Sequence, residues 1–250
     1  MATSVLLACG LNEQRLQPYT HLSEESGVDG GFLISSILGQ RIRVPNAGTI
    51  LICLHQTFSH YCSAGIRLGY NLQMSLGKNL RVIDILNDIA GDFGKSKWTT
   101  TTGNFLQLLW DEIQTQSMEL FAAKSTITVI IDDLSVLLNL GASPGEIMRF
   151  ANRLRQWSEG RNADVAIVTK LNTCEAFGTL MNQIGELCDI HVVIERLKSG
   201  NFKEVDGKIV VKKDTCSGPF DFQETEKTIL YKVLERNIKI FNPGEVGIKV

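Results

Sequence analysis

The chain has 250 residues, of which 44% are hydrophobic, so it can bury the core of one large α/β domain. Its formal net charge of −2 at pH 7 excludes a general electrostatic attraction to nucleic acid or anionic lipid, and any such contact requires a local basic patch. No segment approaches the ~20 consecutive apolar residues of a membrane-spanning helix.

Six cysteines are scattered along the chain without a paired C-x-x-C spacing, and several lie inside apolar runs. This usage is typical of reduced, buried thiols rather than of a disulfide framework or a metal site. The first ten residues, MATSVLLACG, lack a basic leader, and their apolar stretch is too short for a secretory signal. We therefore expect a soluble protein of the cell interior that binds no metal.

Five continuous apolar runs predict strands. They are GTILICLH (Gly48–His55), LRVIDIL (Leu80–Leu86), ITVIID (Ile127–Asp132), ADVAIVTK (Ala163–Lys170) and DIHVVIERL (Asp189–Leu197). Because the runs are continuous rather than alternating, they are typical of a parallel sheet that is covered on both faces.

The segment SPGEIMRFANRLRQW predicts the best-defined helix between these runs. Ser143 and Glu146 have the spacing of a capping box, and Pro144 falls in the first helical turn. Four apolar residues share one stripe that should lie against the sheet: Ile147, Phe150, Ala151 and Leu154.

The C-terminal part of the chain changes character after the last apolar run. It predicts a β-hairpin around Gly200–Gly207, and KTILYKVLERNIKIF adds further strand character. A parallel α/β core that ends in antiparallel strands is a RecA-like arrangement. The sequence therefore predicts an α/β fold of the RecA-like, P-loop NTPase-like class, with three layers and a single domain over residues 1–250 whose core covers about residues 22–245.

The segment SEESGVDGGFLISSILGQRIR lies where this fold class carries its phosphate loop. A RecA-type hydrolase needs the pattern G-x-x-x-x-G-K-[ST], because glycine amides cradle the phosphates, the lysine neutralises them and the hydroxyl binds magnesium. Gly30 aligns with the final glycine of this pattern. Gly31 then replaces the lysine, Phe32 replaces the hydroxyl residue and Glu25 stands at the first glycine, so the phosphate loop is degenerate.

Other parts of a hydrolase site are also absent from the sequence. Glu24 and Asp29 place negative charge beside the predicted helix N-terminus, where it would repel a polyphosphate. Residues 54–56, Leu-His-Gln, stand where a polarising carboxylate usually lies. Asp132 and Asp133 resemble a Walker B pair, but we expect them to cap the end of their strand and to accept amide hydrogen bonds from the following turn. The sequence therefore predicts no catalytic residue and no nucleotide cofactor.

Two separated stretches, HQTFSHY (His55–Tyr61) and IDDLSVLLNLG (Ile131–Gly141), closely resemble segments of the Elongator complex protein 6 family. The degenerate DGGF loop matches the departure of that family from RecA ATPases, and the element order fits from about Leu22 onward. The resemblance implies a catalytically silent RecA-like subunit that joins Elongator proteins 4 and 5 in a heterohexameric ring. It implies that the ring binds tRNA and assists the catalytic Elongator subunits 1 to 3 in modifying the 5 position of the wobble uridine. We also expect a cytoplasmic location, with the nucleus as a second compartment, and no contact with membranes.

The residues alone leave two other classes of protein open. One is a RecA-like or KaiC-like ATPase that uses an atypical phosphate loop, and nucleotide binding by the purified chain would identify it. The other is a recombinase-type accessory subunit, which would carry DNA rather than tRNA.

The late hairpin carries the strongest local basic patch, with six basic residues against two acidic ones between Arg196 and Lys213. Arg196 and Lys198 are candidates for cations that act on a neighbouring subunit's nucleotide. Lys203 and Lys208 extend the patch as candidate tRNA contacts. A solvated strand edge is the ordinary alternative for all four residues. A second basic group on the capped helix is expected to face solvent: Arg149, Arg153 and Arg155.

Two further segments have two interpretations each. In the FSHY run, His60 and Tyr61 could stack on a partner or a base, or Ser59 could cap the helix that runs through Ala64 and Leu68. The apolar LSVLLNLG segment after the carboxylates suits either core packing or a subunit contact.

Overall fold

A computed structural model describes residues 2–92, 94–100, 105–162, 164–173, 178–197, 204–218 and 221–244. The strands are β1 (Tyr19–Glu25), β2 (Ala47–Cys53), β3 (Leu80–Asp84), β4 (Thr126–Ile131), β5 (Val165–Thr173), β6 (Ile190–Glu195), β7 (Gly207–Gly218), β8 (Asp221–Val233) and β9 (Ile238–Phe241). The helices are α1 (Ala2–Ala8), α2 (Gly31–Arg41), α3 (Phe58–Arg67), α4 (Ile85–Gly91), α5 (Lys97–Thr100), α6 (Phe105–Phe121), α7 (Ser135–Asn139), α8 (Pro144–Gly160) and α9 (Gly178–Leu187).

The strands form one sheet in the order β3-β2-β4-β5-β1-β6-β7-β8-β9. The first six strands pair in parallel, whereas β7, β8 and β9 add to the sheet in antiparallel fashion. This arrangement confirms the predicted α/β fold with a mainly parallel sheet and antiparallel C-terminal strands.

Helices cover both faces of the sheet and bury one apolar cluster on each side. One cluster joins α1, α2 and α3 to the sheet and extends upstream to Val5 and Leu6. The other cluster joins α6, α8 and α9 to the opposite face. No helix in the described ranges is both long and apolar enough to cross a membrane.

The central strand β1 is the element that the apolar runs do not reveal. Tyr19–Glu25 reads YTHLSEE, and most of its polar side chains are buried. His21 Nδ1 lies 2.8 Å from Thr169 Oγ1, and Ser23 Oγ lies 2.6 Å from His191 Nε2. Side chains of the adjacent strands thus hydrogen-bond His21 Nδ1 and Ser23 Oγ, which helps the strand to be buried without an apolar pattern. Thr20 Oγ1 and His21 Nε2 are buried without a hydrogen-bond partner.

The structure differs from the sequence interpretation at the starts of α4 and α3. The run Leu80–Leu86 is a strand only to Asp84, whose side chain accepts the N–H groups of Phe58 (2.8 Å) and Asn87 (3.1 Å) and so begins α4. Helix α3 is capped by Thr57 rather than by Ser59, which lies inside the helix.

Helix α8 confirms the predicted capping box. The N–H of Glu146 donates to Ser143 Oγ (3.3 Å), and the N–H of Ser143 donates to Glu146 Oε2 (2.8 Å). The predicted apolar stripe is buried: Ile147, Phe150, Ala151 and Leu154.

Candidate functional site at the degenerate phosphate loop

The loop between β1 and α2 lies at the carboxyl end of the central strand. β1 is flanked in parallel by β5 and β6, and α2 begins at Gly31 with Gly30 as its N-cap residue. Open α/β sheets bind ligands at this edge, and a helix N-terminus there favours anions. The structure therefore brings the degenerate loop to the place where a hydrolase of this class would hold phosphate.

Carboxylates of the chain itself accept hydrogen bonds from the backbone amides at the start of α2. The N–H of Gly30 donates to Glu24 Oε2 (2.6 Å), and the N–H of Gly31 donates to Asp29 Oδ1 (2.8 Å). Glu24 is buried. Two backbone donors that would otherwise be open to a phosphate are therefore already bonded.

The two glycines allow these carboxylates to approach closely. A Cβ at Gly30 would lie 2.4 Å from Ile194 Cδ1 and 2.9 Å from Glu24 Oε2, and a Cβ at Gly31 would lie 2.9 Å from Asp29 Oδ1. Glycine at these positions therefore has a structural reason that does not involve a nucleotide.

The other two residues of the degenerate motif contact β8 and the residue that follows β6. The Phe32 ring packs against Tyr231, with ring centroids 4.9 Å apart. Glu25 Oε2 accepts the backbone N–H of Arg196 (2.9 Å). Phe32 therefore connects the loop to the antiparallel strand β8, and Glu25 connects it to the end of the parallel strand β6.

A lysine reaches the site from β5. Lys170 Nζ lies 2.7 Å from Glu24 Oε1 and 3.1 Å from Asp133 Oδ2, and all three side chains are at most 3% exposed. Asn172 Nδ2 also donates to Glu24 Oε1 (2.9 Å). We call Glu24, Lys170 and Asp133 the buried charge triad.

Sequence reasoning missed Lys170 because its partners lie far away along the chain. The only local signal is a charged residue at the end of the apolar run ADVAIVTK. Burial acts to lower the pKa of Lys170, but the carboxylates of Asp133 and Glu24 outweigh it and raise the pKa above its ordinary value. The ammonium group is therefore protonated and neutralises side chains of its own chain.

Asp132 holds the loop that follows β2. Its carboxylate accepts the backbone N–H groups of residues 54–56 at 2.7 to 3.2 Å and the hydroxyl of Tyr61 at 3.2 Å. Burial raises the pKa of Asp132, and the backbone donors act in the opposite direction. These amides come from the neighbouring loop, not from the turn after its own strand.

Asp133 does bond to the turn that follows it. Its Oδ1 accepts the N–H (2.8 Å) and the hydroxyl of Ser135, and its other oxygen faces Lys170. Over the described ranges of the chain, no group of three or more His, Cys, Asp and Glu side chains is arranged to hold a metal ion.

A cleft of about 370 Å³ lies beside the loop, between α2, α3 and the turn from β8 to β9. Its walls include Phe32, His55, His60, Tyr61, Arg67 and Leu234, and Lys170 is also part of the lining. Of the FSHY residues, Tyr61 is buried and His60 is exposed.

The candidate cations of the hairpin occupy different places. The guanidinium of exposed Arg196 packs against Gly27 (φ 79°) and leaves no room for a side chain there. Lys208 Nζ pairs with Glu195 Oε2 (2.8 Å) across the stem of the hairpin. Lys198 and Lys203 lie outside the described residues.

The fold is shared with a KaiC-like protein from the archaeon Pyrococcus horikoshii. That structure aligns with a TM-score of 0.59 and 9% sequence identity, over 91% of each chain. At this identity the likeness shows the fold alone. The fold is therefore RecA-like and KaiC-like, and the chain's own carboxylates bond to the amides of the loop between β1 and α2.

Comparison of the amino-acid sequence with known proteins shows the family to which the chain belongs. The profile of the family described as Elongation complex protein 6 matches residues 4–235. Elongator complex protein 6 of Drosophila melanogaster is 46% identical over 252 aligned residues, which cover 100% of both chains. The proteins of the same name from Danio rerio and Homo sapiens are 26% and 22% identical, over 89% and 88% of each chain respectively. The chain belongs to the Elongator complex protein 6 family, as its two motifs predicted.

Proposed function

We propose that this chain is a non-catalytic subunit of the Elongator complex. In this proposal it assembles with Elongator proteins 4 and 5 into a heterohexameric ring. The ring binds tRNA and supports the catalytic Elongator subunits 1 to 3 in modifying the 5 position of the wobble uridine. The complex acts in the cytoplasm, with the nucleus as a second compartment. Family membership and the KaiC-like fold support the assembly role.

The observation that carries the non-catalytic role is the Glu24 carboxylate bonded to both Gly30 N–H and Lys170 Nζ. Phosphoryl transfer requires a lysine and amide donors that contact phosphate, and a metal ion that bridges its oxygens. Here the lysine and the amide are bonded within the chain. A phosphate that displaced Glu24 would leave a buried carboxylate without its partners, which is costly.

Calorimetry on the purified chain tests the proposed absence of catalysis. We expect no saturable binding of magnesium–ATP at near-physiological concentrations, because Gly31 and Phe32 offer no charged or hydroxyl contact. Saturable micromolar binding would instead favour a RecA-like or KaiC-like ATPase. Native mass measurement of the chain with its partners, and identification of the nucleic acid that copurifies, test the ring and separate a tRNA-binding role from a DNA-binding one.

Nucleoside mass spectrometry on total tRNA tests the role in cells. Removal of the chain should abolish the 5-position modification of the wobble uridine, because the ring cannot form. Cells that express Asp132→Asn or Asp133→Asn at wild-type protein levels should keep it, because Asn has a similar shape and can accept some of the same hydrogen bonds. A collapse of the modification in a well-accumulated variant would show that these residues carry chemistry.

A further inference from the structure

The outer side of α6 and α8, on the sheet face opposite α2, carries three arginines without an ion-pair partner among the described residues: Arg149, Arg153 and Arg161. We call them the arginine face. Nearby carboxylates bond to other groups: Glu112 to Lys97, Glu159 to Arg155, Asp111 to Gln107, and Glu146 within the capping box of α8. The Glu146 carboxylate also interacts electrostatically with Arg149. The arginine face therefore has positive charge that the chain does not neutralise by ion pairing.

Aromatic rings support two of these arginines. The Arg153 guanidinium carbon lies 4.1 Å from the centroid of the Trp110 ring, and Nη1 donates to Gln107 Oε1 (2.8 Å). Trp110 in turn packs edge-on against Trp157, with centroids 5.6 Å apart. Arg161 lies over Phe121 at 5.3 Å. Packing of this kind restricts a flexible side chain, while the bond to Gln107 uses only one of the five guanidinium donors of Arg153.

Arg149 and Arg153 flank a small pocket. It has a volume of about 150 Å³ and is lined by Leu106, Gln107, Glu146, Arg149, Phe150 and Arg153. Like charges one helical turn apart destabilise a helix, and an anion placed between them would relieve that repulsion. Paired guanidinium groups bind phosphate through two hydrogen bonds each, with defined geometry.

We propose that the arginine face binds the phosphodiester backbone of RNA, and this inference rests on the proposed function in tRNA modification. The twelve steps from Arg149 to Arg161, the C-cap residue of α8, extend about 18 Å at 1.5 Å per step. This length suits a chain of repeated phosphates rather than a single anion. Guanidinium groups that bind phosphate position RNA without reading its bases.

The distribution of exposed apolar side chains favours RNA over a protein partner. The large exposed hydrophobic residues of the described chain are Leu7, Ile66, Met74, Leu76, Met118 and Val233. Only Met118 belongs to α6 or α8. A protein interface usually has an apolar core, which the arginine face lacks.

The test uses the assembled complex that contains the full chain, with a fluorescent unmodified tRNA as the probe. The face variant carries Arg149→Gln, Arg153→Gln and Arg161→Gln. The control variant removes the same charge from other exposed positions: Lys78→Gln, Arg236→Gln and Lys239→Gln. Dissociation constants are measured between 50 and 200 mM salt, and circular dichroism of each variant establishes that it is folded.

The face variant should weaken tRNA binding by about tenfold or more and reduce the slope of log affinity against log salt by about 2, since each lost phosphate contact removes roughly 0.7 to 0.9. The control variant should change affinity less than twofold. An Arg→Lys variant at the three face positions should keep most of the salt slope but lose part of the affinity, because it retains charge without the planar fork.

Three outcomes overturn the proposal. Affinity in the face variant could equal that of the wild type, or the control variant could lose as much. The face variant could also fold but fail to enter the complex, which would show that the arginine face binds a protein. If the wild-type complex binds no tRNA, the proposed function fails as well, so that result is distinguishable from a failure of the arginine face alone.

Discussion

At the residue scale, the buried charge triad combines three ionised groups in an interior where isolated charges are costly. Lys170 contacts both carboxylates, and Glu24 and Asp133 each accept further hydrogen bonds from the backbone. A buried charge is tolerated when its partners are present and becomes strongly unfavourable when one is removed. The triad therefore contributes to stability only as a complete set.

Replacement of Lys170 by Met tests this dependence. The variant keeps most of the side-chain volume but leaves Glu24 and Asp133 without their cation, so we expect a loss of about 3–5 kcal/mol in the free energy of unfolding. Urea denaturation followed by circular dichroism measures the loss. Lys208→Met is the matched control, because its ion pair with Glu195 is partly exposed and should cost only about 0–1 kcal/mol. Equal losses in the two variants would contradict a special role for the triad.

At the element scale, sequence patterns predicted the elements whose stabilising interactions are local. The capping box and apolar stripe of α8 lie within one turn or one face of the helix, so Ser143 and Ile147 are sufficient to recognise it. The predicted loss of phosphate-loop chemistry also rests on a local pattern, because Gly31 and Phe32 are contiguous with the rest of the motif.

The elements that the sequence did not reveal depend on distant partners. β1 is buried because β5 and β6 supply Thr169 and His191 to its polar side chains. Glu24 meets Lys170 only because the sheet order places β1 beside β5, 146 residues away along the chain. A periodicity argument contains no information on such pairs. Arg149 and Arg153 were expected to face solvent, and both are exposed. The contact of Arg153 with Trp110 was not predictable, because that ring belongs to another helix.

Two leucines of helix α7 differ in exposure, and they can distinguish the two interpretations of the LSVLLNLG segment, core packing and a subunit contact. Leu137 is fully buried, whereas Leu138 is partly exposed. Leu137→Asp should lower the free energy of unfolding by at least about 3 kcal/mol, because it buries an unpaired charge. Leu138→Asp should cost about 1 kcal/mol and keep the chain folded.

Copurification of the Leu137→Asp and Leu138→Asp variants with the partner proteins tests whether α7 contributes to a subunit contact. If α7 contributes to a subunit contact, Leu138→Asp lowers recovery in the ring while the isolated chain keeps its unfolding midpoint near that of the wild type. Full recovery of a folded Leu138→Asp variant would assign the segment to core packing alone.

At the scale of the whole molecule, the central strand connects the two halves of the sheet. β1 hydrogen-bonds β5 on one side and β6 on the other, and its side chains contribute to the apolar clusters on both faces, Leu22 to one and Tyr19 to the other. A change that weakens β1 should therefore appear as loss of global stability rather than as local fraying.

Two histidines, one on β1 and one on β6, are expected to make the free energy of unfolding depend on pH. His21 is buried, and its ring centroid lies 5.4 Å from that of His191 on β6. Burial, with a smaller contribution from His191, lowers the pKa of His21 well below its ordinary value. Burial and the nearby Lys212 lower the pKa of His191 from 6.5 to about 4. Both side chains are therefore neutral in the folded protein at physiological pH.

The sign of the effect follows from the unfolded chain, in which histidine titrates near 6.5. Above about pH 6.5 neither state binds the protons, so stability is unaffected by these groups. Between about pH 6.5 and pH 4 the unfolded chain binds more protons, and stability falls as pH falls, by roughly 2 kcal/mol for His191 at pH 5. His21 acts in the same direction. The raised pKa of Asp132 acts in the opposite direction, so the measured change is a net value.

Urea midpoints at pH 7.5 and pH 5.0 measure this net change in stability. The His21→Gln variant should lose part of the pH dependence, and the exposed control His60→Gln should retain all of it. A wild-type midpoint that does not change between these two pH values would contradict the assignment of neutral, buried histidines to the centre of the sheet.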